Sequence, residues 1–108
     1  MAEQTVICTY RVKNGSEPAF LEVLRGHWPT LHDLGFVTDE PARVLRQLGN
    51  DQPTILEIFT WRDGGFELAH EHPRVLAIWE PMEPLCEARD GAPSMDFPHY
   101  ELIDLAGR

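Results

Sequence analysis

The stretch "TILEIFTW" (54–61) constrains the fold more than any other part of this chain. Its β-branched and aromatic residues predict a strand. Both faces of that strand are apolar: Leu56 and Ile58 lie on one, Ile55, Phe59 and Trp61 on the other. "TVICTYRV" (5–12) shows the same habit, with Val6, Cys8, Tyr10 and Val12 on one face and Ile7 on the opposite one. Helices packed on one side of such a sheet leave the second apolar face wet. An exposed patch of that kind marks an interface, and a two-fold homodimer is the commonest way to cover it.

The other elements follow in order. "KNGS" (13–16) is turn chemistry, with Ser16 as a helix cap and Pro18 tolerated in the first turn. Phe20, Leu24, His27, Trp28 and Leu31 then recur at helical spacing. Pro29 is expected to interrupt this helix, because it lacks an N–H and crowds the carbonyl of Arg25. Gly35 suits the helix end. "ARVLRQL" (42–48) reads as a second strand, and "NDQP" (50–53) as the turn into 54–61. "RDGG" (62–65) stops that strand, and a short helix around "FELAH" (66–70) follows. A further helix starts at Pro73, with Val75, Trp79, Met82 and Cys86 as its buried stripe and Pro81 and Pro84 as kinks. "FPHYELIDL" (97–105) reads as the last strand. The order β-α-β-β-α-β predicts an α+β, ferredoxin-like single domain over residues 1–108, with a four-stranded antiparallel sheet.

Charge and cysteine content narrow the function classes. A formal net charge of −9 argues against nucleic acid or an anionic membrane as partner, since those surfaces demand clustered Lys and Arg. No apolar run approaches the roughly 18 residues of a membrane span. "MAEQTVICTY" does not read as a secretion signal. Two isolated cysteines, Cys8 and Cys86, make neither a disulfide framework nor a zinc pattern. The expectation is a reduced, cytoplasmic protein.

Candidate chemistry gathers around histidines and aromatics. His70 and His72 flank Glu71 at a spacing that points two helical side chains apart, which argues against a metal pair. His72 stands where a helix cap belongs, before a proline at the first helical position. His70 ends a short helix whose Phe66 and Ala69 look inward, so it is either a pocket residue or an ordinary hydrogen-bonded histidine. His27, beside the break expected at Pro29, is either a base in a widened helix or a core-edge imidazole. Tyr10, Trp28, Phe59, Trp61, Trp79 and Met82 are the inventory of a pocket for a flat aromatic molecule, or else plain core. Glu57 shares a face with Ile55 and Phe59, and a carboxylate there needs a partner. Arg43, Arg46 or an arginine across a dimer interface is expected to supply it. His99 and Glu101 share a face of the last strand. No glycine loop for phosphates and no nucleophile elbow is present, and neither cysteine has a readable positive environment, so the expectation is a site without cofactor or metal.

The order of elements, and the stretch "LEIFTWRDGGFELAHEHPRVLAIWEPM" (56–82), resemble the antibiotic-biosynthesis-monooxygenase-like superfamily of dimeric α/β-barrel proteins. In that superfamily a strand ending in an aromatic is followed by a short helix, an Ala-His pair and a proline-started helix. Here those are Trp61, Phe66, Ala69-His70 and Pro73. The resemblance implies a homodimer with sheets face to face and a pocket between sheet and helices in each subunit. Some members of the superfamily oxidise phenols or quinols with O₂ and no cofactor, others degrade haem. The haem-degrading branch is similar at Trp61 and His70 but also uses an Asn on the first strand, which "TVICTYRV" lacks.

The function expected is therefore a cytoplasmic homodimer binding a small aromatic or hydrophobic molecule, as a cofactor-independent monooxygenase with His70 or His27 as base. The alternatives are a ligand-binding or stress-related protein without catalysis, and an assembly module whose aromatic stripe is only core.

Overall fold

The computed structural model describes residues 3–106. The chain runs β1 (Gln4–Arg11), α1 (Glu17–Arg25), α2 (His27–Asp33), β2 (Arg43–Arg46), β3 (Thr54–Trp61), α3 (Gly65–Ala69), α4 (Pro73–Met82), β4 (Met95–Asp96) and β5 (His99–Tyr100). The sheet is antiparallel with order β2-β3-β1, and β4 and β5 both pair with the far edge of β1. Together the two short strands take the place of the fourth strand, which gives the ferredoxin-like arrangement expected from the sequence. β1 and β3 pair along their full lengths, with Cys8 opposite Glu57 and Tyr10 opposite Ile55.

Alternation along these central strands decides what is buried. Val6, Cys8 and Tyr10 of β1, Val12 just beyond it, and Ile55, Glu57, Phe59 and Trp61 of β3 face the helices and are buried. They meet Phe20 and Leu24 of α1, Leu31 of α2, Ala69, and Val75 and Met82 of α4 in one core. Each large side chain buried there stabilises the fold by about 1.5–3 kcal/mol. The opposite face carries Ile7, Leu56 and Ile58, half-buried, with Leu45 exposed beside Leu56. Among the described residues no helix covers that side.

Two glycines place α3 against the end of β3. Gly64 has φ 78°, a left-handed conformation that side chains disfavour. Gly65 lies so close to Phe36 that a Cβ would stand 2.1 Å from the Phe36 carbonyl oxygen. This close approach, with the Arg62 N–H on the same carbonyl at 2.9 Å, holds Phe66 and His70 beside Trp61.

Several local expectations are corrected. The first helix breaks at Gly26, not at Pro29, because Pro29 falls in the first turn of α2 and needs no N–H there. Ser16 occupies the cap position of α1, but its backbone carbonyl, not its hydroxyl, meets the Phe20 N–H. Cys86 is buried yet lies outside α4, in an extended bridge to Val12. Pro81 sits inside α4, and Pro84 belongs to a 3-10 turn at Glu83–Leu85. The last strand is not continuous over 97–105. It forms only at Met95–Asp96 and His99–Tyr100, and Pro98 between them lends just its carbonyl, to the Ile7 N–H. Among the described residues no helix is long and apolar enough to cross a membrane.

Candidate functional site

Between the helix-side face of the sheet and α2, α3 and α4 lies a cavity of about 240 Å³. Its wall carries no Lys, Arg, Asp or Glu; the polar atoms come from three imidazoles, a phenol, a thiol and two indoles. Six aromatic rings follow one another in contact round it. His27 touches Phe59 (centroids 5.7 Å), Phe59 touches Trp61 (5.1 Å), and Trp61 touches Phe66 (5.6 Å). Phe66 meets His70 (4.3 Å), His70 meets Trp79 (4.9 Å), and Trp79 returns to His27 (6.3 Å). All six contacts are steeply inclined, the edge-to-face arrangement that aromatic quadrupoles favour.

Of the residues singled out in the sequence, the structure brings Tyr10, His27, Phe59, Trp61, His70, Trp79 and Met82 into this wall. Trp28 is not among them: it stacks on His32 at 4.7 Å, outside the cavity. His72 caps α4, its Nδ1 accepting the Arg74 N–H at 3.1 Å. Cys8, Phe66, Met95, Phe97 and His99 join the wall without having been marked as pocket residues. The alternation of β1 made Cys8 legible. The two-residue strands that carry Met95 and His99 left no such signal.

The base of the site is a hydrogen-bonded chain. Tyr10 donates its O–H to Glu57 Oε1 at 2.7 Å, and His27 Nδ1 lies 2.9 Å and 3.0 Å from the two Glu57 oxygens. Trp79 Nε1 donates to His27 Nε2 at 2.8 Å. Because an indole N–H only donates, Nε2 must accept, so the imidazole proton sits on Nδ1 and points at Glu57. Glu57 therefore receives two hydrogen bonds. This replaces the arginine partner expected for it: Arg43 pairs across from Ile58 on the opposite face, and Arg46 binds Glu17. Burial, and then the Glu57 charge, hold the Tyr10 phenol well above its ordinary range, so it stays a donor. The same two causes, in the same order, push the Cys8 thiol up, which leaves it unreactive as a nucleophile.

The two outer imidazoles differ from His27. His70 Nδ1 lies 3.1 Å from the Phe66 carbonyl, and His99 Nδ1 lies 2.7 Å from Gln4 Oε1. Both acceptors fix the proton on Nδ1 and leave Nε2 with a lone pair. Trp61 is buried, and its Nε1 finds no acceptor among the described residues. Among those residues no group of three or more His, Cys, Asp or Glu could hold a metal ion.

No family model matches the chain, and no curated protein does. Solved structures do. SnoaB, a cofactor-independent oxygenase from Streptomyces nogalater, superposes with a TM-score of 0.77 at 15% identity, over 100% of both chains. A hydroxynitrile lyase from Passiflora edulis gives 0.69 at 14% identity, over 94% of each chain. A dimeric ferredoxin-like protein of unknown function from Jannaschia sp. CCS1 gives 0.60 at 14% identity, over 94% of this chain and 100% of that one. The resemblance drawn from the sequence agrees with these matches. At such identities what is shared is the architecture, and the chain has the ferredoxin-like fold of these proteins.

Proposed function

We propose that the cavity binds a small aromatic molecule bearing a hydroxyl group and that the protein is a cofactor-independent monooxygenase acting on a phenol or quinol. The observation that carries this reading is an apolar, ring-lined cavity with unshielded imidazole nitrogen in its wall and no charged side chain lining it. The shared fold with a cofactor-independent oxygenase supports it. A histidine, His70 or His27, takes the hydroxyl proton, and the electron-rich anion reacts with O₂ while the apolar wall keeps water from the intermediate. One oxygen atom enters the ring carbon and the other leaves as water. The substrate supplies all the electrons, so a phenol becomes a quinone. Two copies of the chain cover each other's open sheet faces, which hides Ile7, Leu56 and Ile58.

The test is turnover of 1,5-dihydroxynaphthalene under air, followed by O₂ uptake and by formation of 5-hydroxy-1,4-naphthoquinone. Substituting the histidine that acts as base is expected to lower the rate about a hundredfold. Unchanged turnover in both His70→Ala and His27→Ala rules out the mechanism. A second reading, a ligand-binding protein without catalysis, draws on the bond that already occupies His27 Nε2. Tight binding of a naphthol that survives unaltered under air favours it.

A further inference from the structure

Glu57 is a buried carboxylate 1% exposed, beneath an apolar cavity, with no Lys or Arg bonded to it among the described residues. Isolating a charge in that way costs several kcal/mol unless its hydrogen bonds are good. Here Tyr10 and His27 supply three contacts of 2.7–3.0 Å. The result is an imidazole whose tautomer is fixed from both ends, by a carboxylate on Nδ1 and by an indole N–H on Nε2.

We propose that Glu57 and His27 form a catalytic dyad and that Trp79 is its removable cap. Glu57 is the positioning residue. It keeps the proton on Nδ1, aims the Nε2 lone pair at the cavity, and stabilises the imidazolium that forms, as a carboxylate does for the histidine of a hydrolase triad. Trp79 is half-buried and belongs to the cavity wall, so its indole can yield to a ligand. An aromatic hydroxyl then occupies the place of the indole N–H. Its O–H bond breaks, an Nε2–H bond forms, and the ligand is left as a phenolate beside an imidazolium paired with Glu57. His70, by contrast, leans on a neutral backbone carbonyl and has no such support for its charged form. The inference rests on the reading of the cavity as a site for a hydroxylated aromatic and picks His27 over His70 as the base. A cavity near 240 Å³ suits one or two fused rings, since about 150 Å³ suffices for benzene.

The test is nitrogen-15 spectroscopy of the histidine rings with 1-naphthol as the probe, its binding followed separately by tryptophan fluorescence. In the free protein His27 Nε2 is expected to resonate as an unprotonated, hydrogen-bonded nitrogen. On saturation with 1-naphthol that signal moves, while the Nδ1 proton remains. Trp79→Phe, which removes the competing donor and keeps an aromatic ring, is expected to bind 1-naphthol roughly five-fold more tightly. Glu57→Gln keeps an acceptor opposite Nδ1 but removes the negative charge, so 1-naphthol is expected to bind without passing its proton to Nε2, a readout that a merely structural carboxylate would not move. Binding of 1-naphthol with no response at His27, or a protonated Nε2 in the free protein, overturns the dyad and leaves the pocket standing. Failure of 1-naphthol to bind at all overturns the pocket reading and the dyad with it.

Discussion

The two faces of the central strands contrast in a way that composition does not announce. The helix-side face is fully buried yet holds a carboxylate and a phenol, against an imidazole from α2. The open face carries Ile7, Leu56 and Ile58 between threonines, and among the described residues no helix covers it. Apolar side chains thus mark a face that wants cover, while burial falls to whichever face the helices reach. The buried face tolerates its carboxylate because the Tyr10 O–H and the His27 N–H both donate to it, whereas the Trp61 N–H on the same face has no acceptor among the described residues. On the open face, among the described residues, the only side-chain bond between β1 and β3 is the one linking Thr5 and Thr60 at 3.0 Å.

The sharpest way to break this contrast is to put a charge on the open face. Ile58→Asp is expected to weaken self-association on the order of a thousandfold, because a carboxylate buried without a partner costs several kcal/mol. Sedimentation equilibrium reads this directly, and a variant that still sediments as the dimer places the interface elsewhere. The converse experiment removes polarity from the buried face. Glu57→Leu strands the His27 N–H and the Tyr10 O–H, and about 3 kcal/mol of stability is expected to go with them. Urea unfolding measures it, and a neutral result makes the chain of bonds dispensable to folding.

The smallest effect is a pH dependence, and it sharpens the picture of the buried face. The ordinary values are 9.0 for the two thiols and 10.0 for the phenol, and burial raises Cys8, Tyr10 and Cys86 alike, Cys86 to about 11. The folded chain therefore keeps protons that the unfolded chain releases. Stability from these groups is fully present below pH 9 and is lost as pH rises toward and through the folded values. Thermal melting followed from pH 8 to about 11 should show a progressive fall. A rise would mean these groups ionise more easily in the folded state.

What the sequence made legible follows from what is local. The alternation of β1 and β3, the cap at His72 and the turn at Gly64 each depend on a few neighbouring residues, and each appears in the structure. The partner of Glu57 does not. It depends on the register of β1 against β3, which sets Cys8 opposite Glu57 and Tyr10 two pairs further on. It depends also on α2 restarting at His27 after Gly26. Arginines on the neighbouring strand looked equally available until pairing put Arg43 on the other face. The final strand misled for a related reason. Thr5 pairs with Tyr100, so the residues after Glu101 run past the start of β1, and the alternation of "LIDL" has no edge of that strand to bind. Leu102, Ile103 and Leu105 are left 71–91% exposed. A strand needs a neighbour as well as a pattern.

The bond from Trp79 to His27 gives the pocket a direction. An indole can give a hydrogen but cannot receive one, so the sequence Trp79 to His27 to Glu57 is a one-way circuit whose positive end faces α4 and whose negative end is sunk in β3. Glu57 only accepts, so the proton stays on Nδ1 even when the indole moves aside. A guest that displaces the indole must then arrive hydrogen-first at His27. A bare ether or ketone of identical shape meets a lone pair there and is turned away.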